Sequence, residues 1–283
     1  MKVVIIGAGR TGTVMGYLLK KSGFEIIGVK NKHLASAHKS VELIGAGEAF
    51  NDIDLKNNLK FADLIIITTP DDIIAQMAEL LLQYDLKDSV CLMHMSGLHS
   101  SHILNKKHKK GINVFSLHPL QAVSSFDEGI KSLPDATFSL EGDKKGLEIA
   151  KLVADRLNLN YHLMKSESKV LYHTAAVVAS NYMVTIINSS YKILQKAGIE
   201  DKDIKGGILN LVKGTLSNLQ KMPPEEALTG PIERNDINTI REHRKELKKL
   251  AYEQLKLYDV LGAYTASMAG KDRLVALFEK ELL

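Results

Sequence analysis

The sequence predicts an α/β protein: a doubly wound parallel sheet over residues 1–164, followed by an all-helical domain over 165–283. Three observations carry this. Short apolar runs alternate with helix-like stretches through the first half, the pattern of a parallel sheet with helices on both faces. The first apolar run ends in a glycine-rich turn that opens a helix. From about Ser166 onward no stretch reads as a strand.

The elements follow in order. "KVVII" is a strand ending at Gly7, and a helix follows from about Thr11 to Ser22. "FEIIGV" is the second strand, then a helix around His33 to Leu43, then the strand "ADLIIITT". "PDDIIAQMAELLLQY" places Pro70 in the first turn of a helix, with Asp71 and Asp72 where the helix N-terminus favours negative charge. "DSVCLMHM", "INVFSLH" and "ATFSLEG" are further strands, and "KKGLEIAKLVADRLN" is a helix before the strand "LNYHLM". The second half opens with one long helical pattern, Ser168 to Gly198, where glycine is a natural stop. "KDIKGGILNLVKGTLSNLQKM" is a second helix, ended by Pro223 and Pro224. "ALTGPIERND" is a loop leading to "INTIREHRKELKKL", capped by Asp236 or Asn235, and the tail to Leu283 continues as helix.

Composition narrows the function. The 283 residues are 45% hydrophobic and 25% charged, with a net charge of +4. That is ordinary globular usage, and no concentrated basic face marks a nucleic-acid binder. "NKKHKK" at Asn105 to Lys110 reads as a solvated helix end. No apolar run approaches the roughly 20 residues of a membrane span, and the start lacks the features of a signal peptide. A single cysteine, Cys91, fits a reducing cytoplasm. The ten histidines are scattered, without H-E-x-x-H or a cysteine pair, so no metal is expected.

The turn "GAGRTG" fills the pattern G-x-G-x-x-G with Gly7, Gly9 and Gly12, and Arg10 and Thr11 lie inside it. Gly7 permits the tight turn, Gly9 lets the backbone approach a pyrophosphate, and Gly12 allows close packing of helix on strand. A dinucleotide is the expected ligand. An NAD site usually ends its second strand with an acid for the ribose 2′-OH. Here that strand ends with Lys30, Asn31 and Lys32, which suit a 2′-phosphate, and Arg10 can help clamp it. NADP (NADPH) is therefore the expected cofactor. Thr69 and Pro70, at the end of the third predicted strand, are expected to border it.

"KVLYHTAAVVASNYMVTIINSS" could line a core, yet it carries Lys169, His173, Ser180 and Asn181. At about 100° per residue, Lys169, His173, Ala176 and Ser180 share roughly one 60° stripe, and Asn181 lies off it. Singly, Lys169 reads as a snorkelling lysine and His173 as a bonded core histidine. Together, beside a nucleotide domain, they are candidate catalytic groups at the mouth of a cleft between the domains. Hydride transfer to a carbonyl develops negative charge on oxygen, and lysine can protonate or stabilise it. Ser96 in "HMSG" and His118 in "LHP" end strands on the ligand side of such sheets. Arg234 in "GPIERND" can grip a carboxylate. Ser96, His118, Asn181 and Arg234 are the candidate substrate contacts.

The elements "GAGRTG", "ADLIIITTPDD", "HMSG", "SLHPLQ", "YHTAAVVASNY" and "LTGPIERND" together resemble the Rossmann-like proteins with a helical domain of the DUF2520 type. Their broader relatives are the 6-phosphogluconate, β-hydroxyacid and ketopantoate reductases. The resemblance implies a Lys-x-x-x-Asn helix just after the nucleotide domain, whose positions here are Lys169 and His173; the histidine departs from that pattern. It implies reduction of a small keto acid such as 2-dehydropantoate by NADPH, with Lys169 as acid, His173 orienting the oxygen and Arg234 holding the carboxylate. It also implies a homodimer formed through the helical domain. Two rival readings stand: an imine reductase of the pyrroline-carboxylate type, and a non-catalytic NADPH-binding redox sensor.

Overall fold

Eight strands form one sheet in the order β3-β2-β1-β4-β5-β6-β7-β8. They are β1 (Lys2–Ile6), β2 (Glu25–Lys30), β3 (Glu48–Ala49), β4 (Leu64–Ile67), β5 (Cys91–His94), β6 (Asn113–Pro119), β7 (Thr137–Gly142) and β8 (Asn160–Leu163). The computed structural model describes residues 1–199 and 201–279. All neighbouring strands pair in parallel except β6 and β7, which are antiparallel. The chain direction of the crossovers reverses at β1 and β4, the switch point where such sheets open a crevice for ligands.

The strands read as continuous apolar runs because both faces are covered. Val3, Ile5, Leu64, Ile66, Met93, Phe115 and Leu117 enter one core, while Val4, Ile6, Ile65, Ile67, Leu92 and Val114 enter the other. The helices of this part are α1 (Arg10–Lys21), α2 (Leu34–Ile44), α3 (Asp52–Asn58), α4 (Asp71–Leu81), α5 (Phe126–Ser132), α6 (Lys144–Arg156) and α7 (Lys169–Ala176). The predicted strands and longer helices are all present. β3, α3 and α5 were not legible because they are short. α3 buries only Leu55 and stands on a capping box between Asn51 and Asp54, which leaves no apolar stripe to read.

The second half is helical as expected: α8 (Tyr182–Lys196), α9 (Asp201–Leu219), α10 (Pro224–Ala227), α11 (Ile237–Leu250), α12 (Tyr252–Met268) and α13 (Asp272–Glu279). Asp236 caps α11 by accepting from the Thr239 N–H at 3.1 Å. The last expected residues of the tail, 280–283, lie outside the described ones. The chain divides into two compact units, Met1–Val178 and Ala179–Leu283. The sheet ends near the expected boundary at 164, but the first unit continues through α7.

Two expectations need correction. The long helix is not regular, since a π-helical turn at Val177–Asn181 separates α7 from α8. The helical run Ser166–Lys196 is also long and apolar enough to cross a membrane by length and composition. The sequence reading missed this because polar residues punctuate the run. The second unit has a small core of Ile240, Ala266, Leu274 and Phe278. Beside it Arg244 and Asp259 form a buried two-point pair at 2.8 and 3.2 Å.

Candidate functional site

Two sites take shape at the carboxyl ends of the parallel strands of the first unit. The first is the glycine turn. Gly7 has φ +80°, which glycine adopts without steric cost. A Cβ on Gly12 would sit 2.2 Å from Thr68 Oγ1, so only glycine lets α1 press this closely on the end of β4. Around the same turn, Ser40 Oγ, Asn31 Nδ2 and Thr13 Oγ1 all donate to the Ala8 carbonyl, at 2.9, 3.2 and 3.2 Å. The loop is thus held from behind by buried side chains.

Its front fits an anionic dinucleotide. Gly9 caps α1 without a side-chain bond, and no acid stands in the first turn. The helix N–H groups are therefore left for a phosphate. A Cβ on Gly9 would meet nothing nearer than the Gly7 carbonyl at 3.9 Å. Asn31 Oδ1 and Thr69 Oγ1 are buried without partners, two polar atoms that a bound ligand could satisfy. Thr11 is half-buried, and Pro70 is exposed at the N-cap of α4.

The basic residues are less uniform than the sequence suggested. Lys32 is exposed, as a phosphate ligand needs. Lys30 is instead ion-paired to Asp52 at 2.7 Å, an acid on the unpredicted helix α3. Arg10 donates to the Ser124 carbonyl at 3.2 Å. Lys30 is thus engaged within the protein, and Lys32 is the readier cation of the two.

The second site lies on one face of β5, β6 and β7. Strand pairing sets His94, Ser116 and Glu141 side by side in one row, and His118, Ser139 and His162 in the next. Their neighbours along β6 and β7, Phe115, Leu117, Phe138 and Leu140, point the other way into the core. α7 supplies the groups above these rows. Lys169 donates to the Ser96 carbonyl at 3.0 Å and to Ser116 Oγ at 2.9 Å. It is 1% exposed, so it does not stand at an open cleft mouth as expected, and both of its oxygen partners belong to the first unit.

Burial brings the Lys169 ammonium down to about 8, against the opposing charges of Glu141 and Asp71. His118 is pulled down to about 4 by burial, with the charges of Lys169 and His173 adding to the effect. His94 falls to about 3 for the same first reason, with Lys169 next. Near neutral pH the site therefore holds a cationic lysine beside neutral His94 and His118. The lysine has three N–H donors and spends two on protein oxygens. The third has no protein acceptor among the described residues.

The structure brings Lys169, His173, Ser96 and His118 together. The rings of His118 and His173 lie 6.1 Å apart, those of His118 and Tyr172 5.6 Å apart, both edge to face. His118 Nδ1 and His173 Nδ1 are buried without partners, and the Tyr172 hydroxyl faces Ser139. Gly97 lies between the two histidines: a Cβ there would be 2.7 Å from His118 Nε2 and 2.8 Å from His173 Nδ1. Ser96 takes part through its carbonyl, while its hydroxyl accepts from the N–H groups of Leu98 and His99, at 3.1 Å each. Asn181 and Arg234 belong to the second unit, and both are exposed. Ser180, placed on the stripe by a regular helix, is also exposed beyond the point where the π turn begins. The sequence reading missed His94, Ser116, Glu141 and Asp71. The signal for two of them was a polar residue at every second position in "FSLH" and "FSLE".

Known proteins resemble this chain in two parts whose bounds differ from those of the two units. Two family models match. Residues 1–119 match a Rossmann-like domain, and residues 136–265 match a domain of unknown function, DUF2520. Protein TM1727 from Thermotoga maritima is 29% identical over 96% of this chain and 99% of that one, with a TM-score of 0.73. BF3122 from Bacteroides fragilis, described as a candidate NADP oxidoreductase, is 21% identical over 94% and 98%, with a TM-score of 0.78. A pyrroline carboxylate reductase from Plasmodium falciparum, solved with NADP bound, shares 12% identity over 95% and 98%, with a TM-score of 0.61. No curated protein matches the sequence.

Proposed function

We propose that the chain is an NADPH-dependent oxidoreductase that reduces a small keto acid, with 2-dehydropantoate as the first candidate. The observation that carries this is Lys169: a buried ammonium, brought down to about 8, with two N–H groups anchored and a third uncommitted. Such a group is a general acid near neutral pH. The glycine turn, the uncapped start of α1, the unpartnered Asn31 oxygen and the exposed Lys32 support NADP as the cofactor. Bound NADPH would supply the hydride. Lys169 then gives a proton to the developing alkoxide, and His173 and His118 are positioned to share hydrogen bonds with the substrate. Asn181 and Arg234 are proposed as further substrate contacts, Arg234 for the carboxylate.

An imine substrate is the second reading, favoured by the fold likeness to pyrroline carboxylate reductase. A cationic lysine speaks against it, since an iminium already carries the positive charge. The test is oxidation of NADPH and of NADH by the purified protein with a panel of 2-keto acids and pyrroline-5-carboxylate. Turnover of a keto acid with NADPH preferred is the expected result. Turnover of the imine alone would select the second reading, and tight NADPH binding with no turnover would point to a redox sensor.

We further propose a homodimer in the cytoplasm, paired through the helical unit. α8 buries none of its residues, yet it exposes Tyr182, Val184 and Ile186; α9 exposes Leu211 at 68%. Apolar surface of this kind is usually covered by a partner. Light scattering should give about twice the chain mass of 31.3 kDa, and a monomer at micromolar concentration would refute the pairing.

A further inference from the structure

Glu141 is a buried carboxylate, 3% exposed, with no cation in direct contact among the described residues. A charge so placed is costly unless hydrogen bonds satisfy it. Four do. The Ser101 N–H and the Ser101 hydroxyl donate to its two oxygens at 2.7 and 2.8 Å, Ser166 Oγ donates at 2.8 Å, and Ser116 Oγ at 3.2 Å. All four reach it as an acceptor, which suits an ionised carboxylate. The donors come from three segments: the short 3-10 turn at Ser101–Asn105, the strand β6 and the 3-10 turn Ser166–Ser168 that leads into α7.

One of these donors is shared with the candidate acid. Ser116 has a single O–H, spent on Glu141, and its lone pair accepts from Lys169 Nζ at 2.9 Å. The chain Lys169, Ser116, Glu141 is thus directional, with each proton assigned. We propose that Glu141, acting through the Ser116 hydroxyl, is the positioning residue that keeps the Lys169 ammonium charged and aimed inside a pocket that otherwise disfavours charge. Ser166 ties the same carboxylate to the turn preceding α7, so one side chain fixes both the start of the helix and the direction of its lysine. The other groups facing Lys169 do not replace it. His94 and His118 are neutral and His173 offers no negative charge, while Asp71 acts across space without a hydrogen bond to the lysine among the described residues.

This inference rests on the reading of Lys169 as the acid, but its test need not use turnover. In protein labelled with 13C-lysine, the Lys169 Cε resonance is assigned by its loss in Lys169→Met and titrated with pH. It is expected to titrate near 8 in the wild type. In Glu141→Gln, which keeps the shape of the side chain, the midpoint should fall by about one unit or more, a tenfold loss of proton affinity. Ser116→Ala should move it the same way by less, Asp71→Asn by less again, and Glu141→Asp should restore part of the loss. Circular dichroism confirms that each variant is folded; if Glu141→Gln is not, Ser116→Ala carries the test. A Lys169 midpoint unchanged in the folded Glu141→Gln or Ser116→Ala variant overturns the proposal. A shifted midpoint in a protein that turns over no keto acid leaves this proposal standing and removes the proposed function instead.

Discussion

Lys169→Met is expected to lower kcat/KM for 2-dehydropantoate reduction by NADPH about 10²- to 10⁴-fold, the usual contribution of a positioned general acid. NADPH affinity should stay near the wild-type value, because the glycine turn, Asn31 and Lys32 are untouched. The pH profile makes the test sharper. In the wild type, kcat/KM should decline above about pH 8 as Lys169 loses its proton. That limb should vanish in the variant. His118 is held down to about 4 and His94 to about 3, so neither should impose an acid limb near neutral pH. A variant that keeps most of the activity, or keeps the alkaline limb, would sink the role given to the lysine. Methionine also removes a buried charge and leaves the Ser116 oxygen without its donor. Thermal unfolding should accompany the kinetics, so that a loss of fold is not mistaken for a loss of acid.

The second large effect is expected from Gly97→Ala. The added methyl would approach both imidazoles to less than 3 Å, closer than a Cβ normally comes to any atom. His118 cannot simply retreat, because Tyr172 lies edge-on to it at 5.6 Å between ring centres. Either the rings or the turn after β5 must shift, and a displacement of about 1 Å at a reacting centre can cost about 100-fold in rate. The same crowding should lower stability by about 1–3 kcal/mol, read as a fall in the denaturation midpoint. Wild-type kinetics in the alanine variant would mean that the two histidines are not part of the working site.

Much of this was legible in the sequence, for physical reasons that can be named. A parallel strand covered on both faces must be apolar throughout, so "KVVII" and "ADLIIITT" declared themselves. The glycine turn was readable because backbone geometry and phosphate approach constrain the same few positions. Lys169 and His173 were legible because polar groups are conspicuous in an apolar helix. What stayed hidden depends on pairing between distant segments. The alternation in "FSLH" and "FSLE" marks Ser116 and Glu141 as facing one side of their strands, but only the antiparallel match of β7 with β6 sets them beside each other. The Asp52 carboxylate that occupies Lys30 lies on a seven-residue helix with no apolar stripe. The π turn left no mark in the residue pattern, and it takes Ser180 off the stripe that a regular helix would draw.

The antiparallel joint between β6 and β7 also makes this site resistant to gradual change. Side chains there alternate with a period of two, polar toward α7 and apolar toward the core. A deletion or insertion of one residue inside either strand would turn its polar set over. Ser116 and His118, or Ser139 and Glu141, would be forced into the hydrocarbon interior, and phenylalanine and leucine would be brought against the lysine. Only a β-bulge that sets the extra residue aside, like the register shift at Val3/Val4 between β1 and β2, would spare the alternation. Single substitutions can tune such a site, but a length change without a compensating bulge inverts it, so length variation should concentrate in the loops at either end of these strands.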